Sequence, residues 1–254
     1  MDYREEPPRY GGMRGQPFGF HGGTPPMLKK LIIVNIAVFI LQFILYNFFS
    51  KAVNEWVSQF FGLYTPWAIG RAHIWQFVTY AFMHADVSHI LFNMLFLWMF
   101  GRELELVLGS RRFLVFYLTA AIFAGLLYIG FDFAQVSFSE DPNVVFKPVI
   151  GASGAVMAAT MLFGLYWPNR IVLFMLIFPM RVRTFVMIVI AIELFGVLNI
   201  GSNIAHSAHL GGLLWGYLFW RFGAQMEAWL SSQHVSGPAS GPRPSRHEDV
   251  FREA

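Results

Sequence analysis

A serine surrounded by small residues opens one of the apolar segments of this sequence. The stretch is GASGAVMA, residues 151–158, in which Gly151 and Gly154 flank Ser153 and its neighbour. Small neighbours leave room for a substrate at a nucleophilic hydroxyl, and they also let two membrane helices pack closely. The motif departs from the GxSxG turn of soluble hydrolases, because Ala155 stands where the last glycine would be. Taken alone, it fits packing or catalysis.

A serine hydroxyl becomes a good nucleophile only when a base lies within hydrogen-bond distance. The best candidate base is His209, which lies with His206 in the later stretch IAHSAHLGG. Both histidines stand at the head of an apolar segment, as Ser153 does. These residue types are the ones that acyl transfer requires.

Small residues repeat at the same spacing in both segments. Gly212 and Gly216 follow the histidines, and Gly154 and Ala158 follow the serine. Faces of this kind allow two helix backbones to approach closely. We therefore predict that the two segments pack together and that His209 reaches Ser153.

Acyl transfer also needs hydrogen-bond donors for the developing oxyanion. His89 and Asn93, in HADVSHILFN, are four residues apart and so share one face of a helix. The first amide groups of the helix that carries the serine point outward with the positive end of its dipole. These groups are candidate donors from opposite sides of the site.

Two other classes of function stay open at this point. His84, His89, His206 and His209 could bind zinc or a di-iron centre, with Asp86 as the nearby carboxylate. The first two histidines are five residues apart and no HExxH motif is present, which disfavours a metal site. The same scaffold could also bind or dislocate client proteins without catalysis.

The composition indicates what kind of element holds these residues. Hydrophobic residues make up 56% of the 254 residues and charged residues only 13%, which is too much apolar surface for one soluble domain. The chain has no cysteine, which excludes disulfides, thiol nucleophiles and cysteine metal sites. The net charge of +3 is spread over tails and short loops, so it does not indicate a nucleic-acid-binding face.

Six apolar runs match the length of a bilayer crossing, although the fourth is short. They lie at residues 31–49, 90–108, 113–131, 153–167, 184–198 and 207–222. The run 171–178 is too short to cross, ends at Pro179 and is expected to lie at the membrane interface. The expected fold class is therefore an all-α membrane protein with a bundle of six transmembrane helices.

The distribution of Lys and Arg gives the orientation of these spans. Basic residues concentrate in both tails and in the loops after the second and fourth spans, so these parts are predicted to be cytoplasmic. The even-numbered spans then all begin at the outer face, which places His89, Ser153 and His209 at one depth just below it. Glu193, in the fifth span, is expected to lie deeper or toward the other side, outside this cluster.

The remaining segments flank the spans. Residues 1–27 and 227–254 are predicted to be disordered cytoplasmic tails, leaving 28–226 as the membrane domain. The first outer loop, from Ser50 to about Ser88, mixes aromatic and polar residues, including Trp75. Such a composition is typical of short helices lying in the headgroup region.

Four motifs, in this order, resemble those of the rhomboid family of intramembrane serine proteases. They are HILFN from His89, LELVLGS from Leu104, PVIGASGA from Pro148 and AHSAHLGG from Ala205. The resemblance extends over residues 29–222. It implies a bundle built around a short central fourth helix, with a water-filled cavity open to the outside. It also implies that the fifth span and the loop 201–208 gate lateral access of substrates.

The resemblance further implies roles for individual residues. Ser153 would be the nucleophile and His209 the general base, as a dyad without a carboxylate. His89, Asn93 and the Ser153 amide would form the oxyanion hole. Further positions are expected to line the cavity or support it, namely Gly151, Gly154, Met157, His206, Trp75 and Glu105.

The same resemblance gives expectations about partners and location. The substrates would be transmembrane segments of other membrane proteins, cleaved near their outer ends, and the lipid bilayer would be the solvent. We expect no cofactor, no metal and no nucleic-acid partner, and the oligomeric state is left open. The expected location is the bacterial inner membrane, as an integral multi-pass protein with both termini cytoplasmic.

Two positions depart from the family pattern. Many rhomboids have Trp-Arg in the first outer loop, where this chain has Trp75 and Gln76. Some bacterial members have a tyrosine four residues after the serine, where this chain has Met157. A thioether can still pack against an imidazole edge. We therefore expect changed loop anchoring and changed packing at the histidine, with activity retained.

Overall fold

The structure is a computed structural model that describes residues 23–138, 146–174, 177–198 and 205–234. It is mostly helical. The described elements are α1 (Pro26–Phe48), α2 (Lys51–Phe61), α3 (Thr65–Gly70), α4 (Gln76–Thr79) with a 3₁₀ turn (Tyr80–Phe82), α5 (Val87–Leu108), α6 (Ser110–Phe138), α7 (Ser153–Tyr166), β1 (Ile171–Phe174), β2 (Phe178–Arg181), α8 (Val182–Val197) and α9 (His206–His234).

Each of the six predicted spans falls on one helix, namely α1, α5, α6, α7, α8 or α9. Within the described ranges, α1 and α6 are both long enough and apolar enough to cross a bilayer. The helix α7 is apolar but has only 14 residues, about 21 Å of helix at 1.5 Å per residue. The wide apolar face of α1 is exposed to its surroundings, as expected for a helix that contacts lipid.

The short helix α7 is enclosed by its neighbours. It packs against α5, α6 and α8, and most of its residues are buried. At the far end of α7, the ring centroid of Phe163 lies 5.1 Å from that of Phe100 on α5. The Phe100 centroid lies 5.9 Å from that of Phe185 on α8. These ring contacts join three helices around one aromatic residue. As a result α7, which carries Ser153 at its first position, has little freedom to shift.

The first outer loop contains the expected short helices, α2, α3 and α4, and Gln76 holds them together. Its buried side-chain amide donates to the carbonyl oxygens of Gln59 at 2.7 Å and Phe60 at 3.2 Å. Its carbonyl oxygen accepts the backbone N–H of Tyr64 at 3.1 Å. One neutral side chain thus satisfies backbone groups from two segments of the loop, which is how this chain anchors the loop without an arginine.

The segment after α7 differs from the all-α prediction. Strands β1 and β2 form an antiparallel hairpin, with Ile171 opposite Arg181 and Leu173 opposite Pro179. The run IVLF in β1 is rich in residues that favour strands. A two-stranded sheet has only edge strands, and an edge strand tolerates proline. The predicted interfacial segment is therefore a hairpin, and Pro179 lies within it.

The ends of the domain also differ slightly from the predicted limits. α1 begins at Pro26, and α9 continues to His234, so residues 227–234 have helical backbone where a tail was predicted. The chain divides into one unit up to Trp220 and a second from Arg221. Most of both predicted tails, and residues 201–204 of the predicted gating loop, lie outside the described residues.

We predict that Gln76→Leu destabilises the protein. Leucine keeps the volume but leaves the Gln59 carbonyl and the Tyr64 N–H without the partner they have in Gln76, whereas the Phe60 carbonyl keeps the indole N–H of Trp75. The expected cost is about 3 kcal/mol in the free energy of unfolding. The measurement is a denaturant titration in detergent micelles. The control is Glu55→Gln, an exposed position on α2 whose only described ion pair joins it to Lys51, and it should change stability by less than about 0.5 kcal/mol. Equal stability of the two variants would refute the anchoring role.

Candidate active site

Ser153 is held in place by the chain segment that precedes it. Val149 pairs with Leu63 of the outer loop through two backbone hydrogen bonds of 2.9 and 3.0 Å. The Gly151 N–H then donates to the carbonyl oxygen of Tyr80 at 2.9 Å. The segment is thus tied to the outer loop at two points before α7 begins. Because Ser153 is the first residue of α7, these bonds fix the direction in which its side chain leaves the backbone.

Gly151 occupies a position that a side chain could not fill. Its φ of +134° is one that L residues rarely adopt, and an added Cβ would lie 2.8 Å from His89 Nε2. The same Cβ would lie 3.6 Å from Ser153 Oγ. The absence of a side chain therefore lets the His89 ring lie over the backbone next to the serine hydroxyl.

The predicted close approach of α7 and α9 is present. A Cβ on Gly212 would overlap the carbonyl oxygen of Gly154, and one on Gly216 would overlap that of Ala158. Backbone therefore meets backbone at two successive turns, which only glycine on α9 allows. Met157 lies beside this contact, with its Cβ 3.2 Å from where a Gly212 Cβ would be.

This contact brings the predicted serine and histidine together. His209 Nε2 lies 2.7 Å from Ser153 Oγ, and both side chains are half-buried. The two residues are 56 positions apart in the sequence. A distance of this length is a strong hydrogen bond between a hydroxyl and an imidazole. When Nε2 is unprotonated, it accepts the serine proton, which is the arrangement a general base requires.

A buried carboxylate, that of Glu193, lies behind His209. Glu193 Oε1 is 3.0 Å from His209 Nδ1, and its Oε2 is 2.6 Å from His206 Nδ1. The contact with His209 has the distance of an ion pair, but the Nδ1–H bond does not point along it. The expectation that Glu193 lies outside the cluster is therefore wrong, because its carboxylate contacts the histidine that the resemblance implies as general base.

The signal for Glu193 was present in the sequence. The fifth span is odd-numbered and so runs toward the outer face under the predicted topology. Glu193 precedes Leu198, the predicted outer end of that span, by about 7.5 Å at 1.5 Å per residue. Counting from the outer end would have placed this carboxylate at the depth of the histidines. The depth of Glu193 in the membrane is therefore given by the direction in which its span crosses.

His206 lies close to Ser153 and His209, but its bonding partner is the Glu193 carboxylate and not the serine. The His206 ring packs against Gly196 of α8, in space that a Cβ on that residue would occupy. The glycine therefore makes room for the imidazole. Its Nδ1 then meets Glu193 Oε2 at 2.6 Å. The predicted supporting position is thus a partner of Glu193.

His89 stands at the head of α5, where Asp86 caps the helix. The Asp86 carboxylate accepts the His89 N–H at 2.8 Å and the Ser88 hydroxyl at 2.6 Å, and these bonds lower the pKa of Asp86. His89 Nδ1 accepts the backbone N–H of Ala85 at 3.3 Å. The proton of the neutral ring therefore lies on Nε2, the atom that faces Gly151. His89 is thus a hydrogen-bond donor toward the space beside Ser153.

Asn93 lies one turn further along the same face of α5 and is buried. One of its amide hydrogens is donated to the carbonyl oxygen of His89 at 2.9 Å. An amide group has two hydrogens, so this bond leaves the second for another acceptor. The bond to His89 also fixes the orientation of the amide plane.

Two predicted support residues are outside the site. Trp75 is 37% exposed and donates its indole N–H to the carbonyl oxygen of Phe60, so it belongs to the outer loop. Glu105 lies near the opposite end of α5, about 24 Å of helix from His89 at 1.5 Å per residue. Its two oxygens accept the backbone N–H groups of Met27 at 2.9 Å and Leu28 at 2.6 Å, and thereby cap α1.

The four histidines do not form one metal site. His84 is buried with its ring edge-on to His89 at 5.1 Å, and burial together with His89 lowers the pKa of His84 to about 4. In the part of the chain that the structure describes, the possible ligand set is Glu193, His206 and His209, whose atoms lie within 4.8 Å of one another. The metal hypothesis therefore concerns a different set of ligands from the one that the sequence suggested.

The comparison with known proteins decides the family. Residues 71–226 match the family described as Rhomboid domain, a match that covers more than half of the chain and includes Ser153 and His209. The chain belongs to the rhomboid family. The Rhomboid protease GlpG of Yersinia pestis (strain Pestoides F) is 28% identical over 203 residues, which are 77% of this rhomboid and 62% of that relative. The Rhomboid protease GluP of Bacillus subtilis (strain 168) is 32% identical over 200 residues, which are 78% of this rhomboid and 35% of that relative.

This rhomboid therefore spans less than two thirds of the length of either relative. Its family membership confirms the resemblance that the four motifs indicated. Its two departures from the family pattern have local explanations. Gln76 anchors the outer loop through its amide, and Met157 packs beside Gly212 on the face of α7 that meets α9.

We predict that Gly151→Ala and Gly130→Ala change the stability of this rhomboid in opposite directions. The first forces a side chain into a φ of +134° and against His89, which should lower the free energy of unfolding by about 2 kcal/mol. The second adds a methyl group inside α6 with no heavy atom within 4 Å, which should raise stability by about 0.5 kcal/mol. Denaturant titration in detergent measures both. A Gly151→Ala variant as stable as the parent would contradict the geometry described here.

Proposed function

We propose that this rhomboid is an intramembrane serine endopeptidase that cleaves transmembrane segments of other membrane proteins near their outer ends. The observation that carries the proposal is the 2.7 Å contact between His209 Nε2 and Ser153 Oγ. Two half-buried side chains from different helices meet there, inside a mostly apolar bundle. Polar groups in such surroundings are costly and are associated with function.

Ser153 is the nucleophile in this mechanism. Its Oγ attacks the carbonyl carbon of the scissile peptide bond while His209 Nε2 takes the hydroxyl proton. The C–O bond forms, the carbonyl π electrons move to oxygen, and a tetrahedral intermediate with an oxyanion results. His209 is then an imidazolium ion.

The oxyanion needs hydrogen-bond donors that are already in place, because such donors do not have to reorient when the negative charge develops. His89 Nε2–H faces the space next to Ser153, and Asn93 keeps a second amide hydrogen one turn away. The backbone N–H of Ser153 belongs to the first turn of α7 and has no intrahelical acceptor. We assign the oxyanion hole to these three groups.

The second half of the reaction releases the products. The intermediate collapses as His209 gives its proton to the leaving amine, which breaks the C–N bond and leaves an ester on Ser153. A water molecule, deprotonated by His209, then attacks this ester and restores the serine hydroxyl. Each step uses a group of this chain or water, and no cofactor is required.

The proposed arrangement in the membrane has six crossings, with both termini in the cytoplasm of a bacterial cell and the site just below the outer surface of the inner membrane. The apolar helices α1 and α6 and the coincidence of the other predicted spans with helices support this. The Lys and Arg excess in alternate loops supports the orientation. Substrates and water would then meet at the outer end of α7.

We predict that Ser153→Ala and His209→Ala each lower cleavage of a transmembrane reporter by at least about 10³-fold in detergent. Ser153→Ala should also abolish labelling by a fluorophosphonate probe, which reacts with activated serines. The matched control is Ser58→Ala on α2, which should retain full activity and full labelling. Undiminished cleavage by either active-site variant would refute the proposed mechanism. A folded parent protein with neither cleavage nor labelling would instead favour a client-binding role.

We predict that Asn93→Ala lowers kcat by about 10²–10³-fold, the usual loss for one oxyanion-hole donor. The matched control is Asn47→Ala. Asn47 also donates its amide to the carbonyl four residues earlier, Phe43, at 2.7 Å, but it lies on exposed surface of α1. The control variant should keep its kcat within about twofold. If both variants lost activity equally, the loss would come from the helix rather than from the oxyanion hole.

A further inference from the structure

Glu193 has a place in the site that goes beyond a serine and a histidine. It is 5% exposed, on α8, and its two carboxylate oxygens contact two different histidines of α9. A buried carboxylate is stable only when it is paired and hydrogen-bonded. Here the partners are His206 and His209, and one of them is the proposed general base.

We propose that Glu193 is a positioning residue that makes Ser153, His209 and Glu193 a catalytic triad. The inference rests on the proposed function and adds a third member to it. The carboxylate next to Nδ1 stabilises the tautomer of His209 with its proton on that nitrogen. The lone pair of Nε2 then faces Ser153 Oγ, 2.7 Å away, as proton transfer requires.

The carboxylate also acts when His209 becomes charged. After taking the serine proton, His209 is an imidazolium ion in apolar surroundings, where an unpaired charge is costly. Glu193 Oε1 at 3.0 Å from Nδ1 supplies the opposite charge. The imperfect alignment of this contact agrees with a resting site, since catalytic hydrogen bonds often tighten only when substrate is bound.

His206 keeps the carboxylate in this orientation. Its Nδ1 at 2.6 Å from Oε2 fixes one oxygen, which leaves Oε1 directed at His209. The ring of His206 occupies space that Gly196 leaves open on α8. The carboxylate therefore cannot rotate away from His209 without breaking its bond to His206.

The position of Glu193 on α8 couples that helix to the catalytic base. Ser153 lies on α7 and His209 on α9, so the third member comes from a separate helix. A movement of α8 away from α9 would separate the carboxylate from both histidines. In this rhomboid His209 can therefore act as the general base only while α8 stays packed close to α9.

The test compares Glu193→Gln, Glu193→Asp and the control Leu194→Ala. Glutamine keeps the shape and hydrogen-bonding capacity of the side chain but removes the charge, and its NH₂ group favours the wrong tautomer of His209. We expect kcat to fall about 10²–10³-fold with KM changed less than about threefold. The fluorophosphonate labelling rate should fall in parallel, because labelling needs an activated serine but no transmembrane substrate.

The other two variants separate positioning from support of α8. Aspartate restores the charge one methylene short, so it should recover at least about tenfold of the lost kcat. Leu194→Ala shortens an adjacent side chain that is 54% exposed, and it should leave kcat and labelling unchanged. If Glu193→Gln keeps full kcat and labelling while Ser153→Ala is inactive, the triad is refuted and the proposed protease function stands. If Ser153→Ala also stays active, the proposed function fails as well.

A metal arm completes the experiment, because the same three side chains could bind a divalent cation. Activity of the parent protein that survives EDTA supports the triad. Activity that EDTA removes and added Zn²⁺ restores would overturn it and assign Glu193, His206 and His209 to a metal site.

Discussion

Backbone contact between α7 and α9 is the constraint on which the site depends. At Gly212 and Gly216 there is no space for even a methyl group, because carbonyl oxygens of α7 occupy it. On the other side of α9, a Cβ on Gly211 would lie 2.9 Å from the backbone of Ala124 on α6. The helix that carries His209 is thus held against two neighbours at minimum distance. A larger residue at these positions would separate the imidazole from Ser153 by more than a hydrogen bond tolerates.

The serine is positioned from a different direction. Bonds from the outer loop, through Leu63 and Tyr80, hold the segment that leads into α7, and Gln76 holds that loop together. The oxyanion-hole donor His89 depends on the Asp86 cap at the head of α5. The site is therefore formed where three separately anchored parts meet: α9, the segment leading into α7, and the head of α5. Its polar groups act on one another in surroundings of low dielectric constant, which strengthens each of their interactions.

The sequence predicted those parts that follow from depth and spacing. Ser153 and His209 both begin even-numbered spans and both are followed by small residues, which predicts that they meet, and the structure has His209 Nε2 2.7 Å from Ser153 Oγ. The positions of the spans follow from apolar length alone. The depth of Glu193 follows from the sequence only when the direction of its span is taken into account. Its two contacts also depend on side-chain packing at Gly196, which no periodicity reveals.

Other features could not be derived from pattern alone. The hairpin of β1 and β2 contains the apolar run 171–178, whose length fits an interfacial segment as well as a strand. The resemblance predicts that Trp75 and Glu105 support the site, yet their partners are backbone groups of the outer loop and of α1. The sequence shows that Gln76 departs from the family pattern, but its three backbone partners belong to residues 12 to 17 positions earlier. Long-range partners of this kind are set by the fold.

The cap that Glu105 places on α1 has a consequence for the order of assembly. Its acceptor oxygens reach Met27 and Leu28 across 78 and 77 positions of sequence. During synthesis from the N-terminus, α1 is made long before Glu105 exists, so its first N–H groups are left to water or lipid headgroups. The start of α1 gains its final partner only after α5 has been made almost to its end. An earlier helix is therefore completed by a later one, and the bond between them forms late in the biogenesis of the bundle.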